Sequence, residues 1–416
     1  MVLTGTPAGT TDRHDRWWRA QMEGHQVGVR LRRWRARRGL TQRVLADLAG
    51  FSHGYVAQIE AGLAPLERRA AQEAIARALQ ISVDELTGRS DPAAPHQPVD
   101  RHAMAMLRAG IAAVSFPEVA GPDGDAVPDS VDGALLDRLF DECRFDLLVP
   151  ALGRALTALA QRSGTVADEA WPGHQRQLVE ACSVTVSTCI QLGHTDLTLA
   201  VAETAMRTAR DLGEPATLGL ANYARIRALA GTTGADRAVA EGIDRLSPHI
   251  AADVNAASTY GMHHLVSAML AAQQGRGATA MSHLDEASQA AALTGERPED
   301  WFSFGPTNVG IWRVAVLVAL GDGPAALVPL PGFRVETSPV AHRQATYFID
   351  MSRALLQRRG SEGAAAAALH RAEAIAPQMV CTSDGAREAL GTLLSRPRFG
   401  RDTRLRGLAR RTGLPD

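Results

Sequence analysis

The sequence contains no lysine; all 44 of its Lys-plus-Arg positions are arginine. Every fixed positive charge is therefore a planar, multi-donor guanidinium, the form best matched to phosphate and carboxylate geometry. Aromatic residues make up only 5% of the chain. With alanine dominating the second half and few β-branched runs there, close-packed helices are favoured over sheets. Four cysteines (Cys143, Cys182, Cys189, Cys381) include no CxxC pair, which argues against a disulfide scaffold or a zinc knuckle and fits a reducing compartment. No apolar run is long enough to span a membrane, since the run at 314–320 ends at Gly321-Asp322-Gly323. The N-terminal residues show no apolar stretch after a basic start, so a cytoplasmic protein with no membrane partner is expected.

Catalytic and metal chemistry are poorly supplied. There is no Gly-rich phosphate loop and no nucleophile elbow. His263 and His264 are adjacent and so diverge on a helix, unlike metal ligands at i and i+4. Cys182 and Cys189 share a face but have no partners to complete a site, so a core role is expected. The chain is expected to be no enzyme and to need no cofactor and no metal.

What is present is asymmetric. Residues 12–90 hold fourteen arginines against nine acidic residues, so the remainder of a chain with net charge −1 is acidic. At 416 residues the length favours two or three domains. Residues 1–23 are polar with Trp17-Trp18 and are expected to form a flexible arm. Residues 24–88 carry a compact helical pattern. Residues 89–133 form a linker with a short helix, proline-rich over 89–100 and irregular over 115–133. Residues 134–400 show helical periodicity broken by Gly-centred turns, and 401–416 are expected to be a tail.

Within 24–88, Val27, Leu31 and Trp34 lie at helical spacing, with Arg30, Arg32, Arg33, Arg35, Arg37 and Arg38 around the rest. Gly39 stops this helix. Thr41 can cap a second over 42–49, with Leu45, Ala46, Leu48 and Ala49 inward. Gly50 permits a left-handed turn, Phe51 plugs the core and Ser52 caps a third helix over 53–60 that buries Val56 and Ile59. Ile75, Ala78 and Leu79 fit a fourth helix; the capping box at 82–85 opens a fifth, with Leu86 inward. Two short helices joined by a Gly turn make a helix-turn-helix. Gln42, Ala46, Gly50, Ser52, Val56, Ile59 and Glu60-Ala61-Gly62 closely resemble the Cro/C1-type (XRE) DNA-binding family, over about sixty positions. The departure is Ala70-Ala71, where a Ser or Thr cap would be expected.

The resemblance implies a five-helix, lambda-repressor-like module whose third helix enters the major groove of double-stranded DNA. His53, Gly54, Tyr55 and Gln58 would then face base edges, with Gln58 able to pair bidentately with adenine and Ser52 able to reach a phosphate. Gln42 resembles the family's backbone-anchoring glutamine, and Arg32, Arg35, Arg43, Arg68 and Arg69 are further candidate phosphate contacts. Two-fold symmetry would make the protein a homodimer on a palindromic operator.

In the second half the glycines of successive turns, Gly193, Gly231, Gly275, Gly321 and Gly360, lie 38, 44, 46 and 39 residues apart. That period suggests stacked helical hairpins, and the segment resembles degenerate tetratricopeptide repeats. The fold class is therefore expected to be all-α, a helix-turn-helix module followed by a tetratricopeptide-like helical-hairpin array. The run 301–309, with its Phe-Gly-Pro-Thr-Asn stretch, resembles a family of actinobacterial helix-turn-helix regulators with such C-terminal domains. His342-Arg343-Gln344 and Ile349-Asp350 also fit that family. A transcriptional regulator with a sensor domain is implied, holding a small-molecule or peptide effector on the concave face of the repeats. Candidates for that face are Asn222, Tyr223, Arg227, Tyr260, His264, Trp301, Phe304, Asn308, Trp312, Arg313 and Tyr347. The aromatics fit hairpin packing equally well, and both readings stay open. A different class of protein is also compatible: a DNA-binding adaptor whose repeats recruit a partner protein.

Overall fold

The computed structural model describes residues 27–28, 31–32, 34–36, 38, 40–64, 66, 68–79, 83, 86, 99–116, 131–163, 168–400 and 402–414. The Trp17-Trp18 arm, residues 89–98 and 117–130, Arg30, Arg33, Arg37, the side chain of Arg69 and most of the expected capping box lie outside them. Among the described residues all regular structure is helical, with no strand. The chain divides into two compact units, with the boundary between Pro95 and His96.

The first unit is short helices around one core. Residues 27–28, 31–32 and 34–36 are helical, followed by α1 (Gln42–Ala49), α2 (His53–Glu60) and α3 (Arg69–Leu79), with residues 83 and 86 again helical. Leu31, Leu45, Val56, Ile59, Ile75, Leu79 and Leu86 form its core. The α1 start is capped as the sequence implies, Thr41 Oγ1 accepting from the Val44 N–H at 3.2 Å. Gly50 adopts φ 73°, a left-handed conformation that only glycine enters without strain, and so ends α1 and turns the chain. Ser52 Oγ accepts from the Tyr55 N–H at 3.2 Å and starts α2. Leu48, expected inward, is instead 61% exposed, because Leu45, Ala46 and Ala49 already fill the narrow face of an eight-residue helix. Beside the missing cap at Ala70-Ala71, the Gln72 side chain donates to the Leu66 carbonyl at 2.8 Å.

The second unit begins with α4 (Arg101–Ser115), which packs along α6 (Phe145–Arg162). The two approach backbone to backbone: a Cβ on Gly110 would lie 2.5 Å from the Gly153 carbonyl oxygen. The short helix expected inside a linker is thus part of this core, through Ala103, Leu107, Ile111 and Val114. Between them in sequence lies α5 (Gly133–Asp141), which packs on α6. An inner layer follows: α7 (Trp171–Gln191), α9 (Pro215–Ala228), α11 (Val254–Gln273), α13 (Pro306–Ala319) and α15 (Ala341–Leu356), each packed on the next. An outer layer of α8 (Thr198–Leu212), α10 (Thr233–Leu246), α12 (Gly277–Thr294) and the short α14 (Gly323–Ala326) wedges between successive inner helices, and α16 (Glu362–Ile375) packs on α15. The five glycines that mark the repeat period all take positive φ, at or just past the ends of inner helices in every case.

The layer curls until its ends meet. Helix α15 touches α5, and α17 (Pro377–Thr382) returns to the start of α6. There Gln378 Nε2 donates to Asp146 Oδ1 at 2.7 Å, and Gln191 Nε2 to Thr382 Oγ1 at 3.0 Å. Beyond α18 (Asp384–Leu394), the expected tail forms a helix, α19 (Thr403–Arg411), because Leu405, Leu408 and Ala409 repeat at helical spacing and are buried.

Candidate nucleic-acid interface and ligand cavity

Helix α2 is two-faced. Val56 and Ile59 are fully buried, whereas Ser52, His53, Gly54 and Gln58 are exposed along the opposite edge. Nothing lies within 4 Å of the position a Gly54 Cβ would occupy. Tyr55 is half-buried and tilted against Phe51, ring centroids 5.3 Å apart, so only part of it reaches the outer edge. Arg43 and Arg68 are exposed nearby in the unit, and the Arg32 side chain is 62% exposed.

Arg35 and Gln42, picked from the sequence as phosphate contacts, are turned inward. Arg35 Nε and Nη2 donate to the two carboxylate oxygens of Glu60 at 2.6 and 3.0 Å, and its Nη1 to the Leu40 carbonyl at 2.8 Å. Gln42 Nε2 donates to Glu60 Oε2 at 2.8 Å. The Glu60 side chain has no solvent exposure, and burial alone would favour its neutral form. The donors from Arg35 and Gln42 outweigh that and hold its pKa below the usual carboxylate value. A buried carboxylate at the end of α2 must be paired. Arg35 and Gln42 supply the donors. Arg38 Nε donates to the Leu79 carbonyl at 3.0 Å, tying the first helical segment to the end of α3.

The second unit holds a cavity of about 880 Å³, partly open to solvent, the size of a small-molecule site. Each inner helix presents one stripe to it at helical spacing: Glu180, Ser187 and Gln191 from α7, Tyr223 and Arg227 from α9, Met269 and Gln273 from α11, Trp312 and Ala315 from α13, and His342, Arg343, Thr346 and Asp350 from α15. Helix α5 adds Asp137 and Asp141, and the loop 298–303 adds Asp300, Trp301 and Phe302. Tyr223 meets Phe302 and Trp301 edge to face, at centroid distances of 4.9 and 6.4 Å. Arg343 donates to the Phe302 carbonyl at 2.7 Å, and Arg227 to Ser187 Oγ at 2.9 Å.

Charge in the cavity is unusual. Desolvation, then the negative charges of Glu180 and Asp141, push Asp137 up to about 7, opposed by the nearby Trp301 indole N–H. Burial raises Asp141 to about 6 against the pull of Arg343, and it raises Glu180, Asp300 and Asp350 as well. His342, desolvated and beside Arg343 and Arg227, is held well below the usual histidine value.

Of the residues marked in the sequence as effector contacts, Tyr223, Arg227, Trp301 and Trp312 line this cavity. The others lie elsewhere. Asn222 donates to the Ala238 carbonyl at 2.7 Å and locks α9 to α10. Tyr260 and His264 stack together, and His264 reaches His283 on α12 at 3.0 Å. Phe304 is fully buried where a Gly261 Cβ would strike its ring, and Asn308 donates to the Phe302 carbonyl at 3.3 Å. Tyr347 packs on Phe333, and Arg313 is not among the lining residues. Arg313 apart, these groups make packing contacts, which need the same residue types. Asp137, Asp141, Glu180, Asp300, His342 and Arg343 were not picked as site residues. One signal was available: Glu180 is a carboxylate within a helix buried on most sides. Among the described residues no cluster of three or more His, Cys, Asp or Glu could hold a metal ion, and no helix is long and apolar enough to cross a membrane.

The class of the N-terminal unit is given by comparison: a family model described as a helix-turn-helix domain matches residues 26–87. No curated protein matches the chain. Among solved structures, the apo form of the competence regulator ComR from Streptococcus vestibularis is similar over 65% of this chain and 95% of its own, with 12% identity and a TM-score of 0.18. That score is too low to mark a shared global fold.

Proposed function

We propose that the protein is a transcriptional regulator of the Cro/C1 (XRE) type that reads double-stranded DNA with α2 in the major groove. The observation that carries this is the division of α2 into a buried edge at Val56 and Ile59 and a free edge at Ser52, His53, Gly54 and Gln58, within a matched helix-turn-helix domain. Gln58 and His53 are the base-reading candidates; Arg32, Arg43, Arg68 and Arg69 are the phosphate contacts. As a homodimer it would place two such helices about 34 Å apart on a palindromic operator. The tetratricopeptide-like unit acts as sensor: its cavity takes a small-molecule or peptide effector and alters operator affinity to the extent that the effector prefers one state of the protein. A concave cavity of this size, partly open to solvent, suits a small ligand better than a flat docking surface would. The role is regulatory and not enzymatic.

Selection of bound sequences from a random duplex library with the full chain, followed by gel shifts across a salt series, tests the reading. Enrichment of an inverted repeat bound by the parent and not by Gln58→Ala supports it. Salt-dependent binding with no sequence enrichment removes it.

A further inference from the structure

Seven carboxylates line the cavity against three guanidinium groups, and the imbalance is not settled by ion pairing. Glu299 and Asp350 have arginine partners in Arg297 and Arg353. Asp137, Asp141 and Glu180 have no ion-pair partner among the described residues. Nearby cations are engaged elsewhere: Arg176, one turn before Glu180, pairs with Glu214 at 2.7 Å, and Arg144 with Asp146 at 3.3 Å. Arg227 and Arg343 are held by Ser187 and the Phe302 carbonyl. Two further features bear on the chemistry the wall would suit. One buried polar atom at the wall, His342 Nδ1, has no hydrogen-bond partner among the described residues. The apolar part of the wall combines the aromatics Tyr223, Phe302, Trp301 and Trp312 with Val184, Met269, Ile311 and Met379.

Uncompensated carboxylates gathered in a desolvated space raise the free energy of the empty protein. A cation entering there relieves that cost, and aromatic faces attract it further. An anion adds to the repulsion. We propose that the cavity is built for a small organic cation, a protonated amine or amidine seated between Asp137 and Glu180 with its apolar body against Trp301, Tyr223 and Trp312. This rests on the reading of the cavity as the effector site and specifies the ligand class it would take.

The test is isothermal titration calorimetry of the full chain with three size-matched series that differ in charge: tryptamine, indole-3-acetamide and indole-3-acetate; phenethylamine, phenylacetamide and phenylacetate; and pentylamine, pentanamide and pentanoate. The cationic member of at least one series is expected to bind at least tenfold tighter than its amide, with no binding of the carboxylate. The double variant D137N/E180Q, which keeps shape and removes like charges, is expected to stay folded, weaken that cation at least tenfold and leave the amide unchanged. Tighter binding of amides or carboxylates, or cation affinity unchanged in D137N/E180Q, overturns the charge assignment while leaving the cavity a sensor. Absence of binding in every series overturns the sensor reading and the charge assignment together.

Discussion

Arg35 holds Glu60 by both carboxylate oxygens, at 2.6 and 3.0 Å, where the Glu60 side chain has no exposure to solvent. Gln42 completes the arrangement from the start of α1. The last residue of α2 is thereby fixed to the first helical segment and to α1, and the free edge of α2 is presented on a rigid base. Sites carried on elements whose side chains are locked in this way keep their geometry better than sites on loops.

Arg35→Ala is therefore expected to unfold the first unit rather than merely weaken DNA binding. Removing one partner of a buried pair typically costs about 3–5 kcal/mol, because the other charge stays buried and unpaired. Chemical denaturation of the full chain should show the early transition shifted in Arg35→Ala, with Glu60→Gln milder. The pH dependence has a definite sign. Glu60 is held below its unfolded value of 4.5, so its contribution is complete above about pH 4.5 and is lost as pH falls through the lower, folded pKa. Early unfolding between pH 7 and 5 would contradict this account.

Arg32 and Arg43 are exposed, and their substitution by alanine should leave stability within about 0.5 kcal/mol. Each lost phosphate contact should lower the slope of log affinity against log salt by about 1, uniformly across sequences. Gln58→Ala should leave that slope intact and relax base preference at one position per half-site. A gel-shift salt series separates the two, and a Gln58→Ala protein with unchanged sequence preference would remove Gln58 from the reading edge.

Two glycines in the first unit should respond in opposite ways to alanine. Gly54 has open space where a Cβ would go, so Gly54→Ala should raise stability by up to about 1 kcal/mol while altering DNA binding. At Gly28 a Cβ would lie 2.2 Å from the Ile59 carbonyl oxygen, and forcing the backbones apart should cost about 1–3 kcal/mol. Thermal denaturation of both variants checks the contrast.

The first unit was legible in the sequence because its signals are local. Thr41, Gly50 and Ser52 act within one turn of their own positions, and each does in space what it implies on paper. The pairing of Arg35 and Gln42 with Glu60 was not legible, because Glu60 is 25 and 18 residues away. No periodicity shows a contact of that range. The hairpin array was legible through its turn glycines, but the cavity was not. Its wall takes one stripe from each of several helices, and which stripe faces inward depends on the curl that brings α15 to α5. Trp301 and Phe304, three residues apart, illustrate the limit: one lines the cavity and the other fills the core against Gly261.

Asp137 should make the second unit less stable as the solution becomes more alkaline. Its carboxyl titrates at about 7 in the folded chain against 3.8 when free, because it is desolvated and faces Glu180 from α7 and Asp141 from its own helix. Arg343 from α15 pulls on Asp141, and the Trp301 indole only partly compensates Asp137. The folded state therefore holds more protons than the unfolded one between those two values, and stability falls as pH rises through that window. Asp137→Asn removes this titration. Its advantage over the parent should be small at pH 4, grow on the order of 2 kcal/mol between pH 5 and pH 8, and level off above about pH 7. Asp141 at about 6 leaves the variant a residual slope that ends lower. Urea unfolding of parent and Asp137→Asn across this range measures the difference directly; an advantage that is flat with pH would mean Asp137 is ionised and solvated throughout.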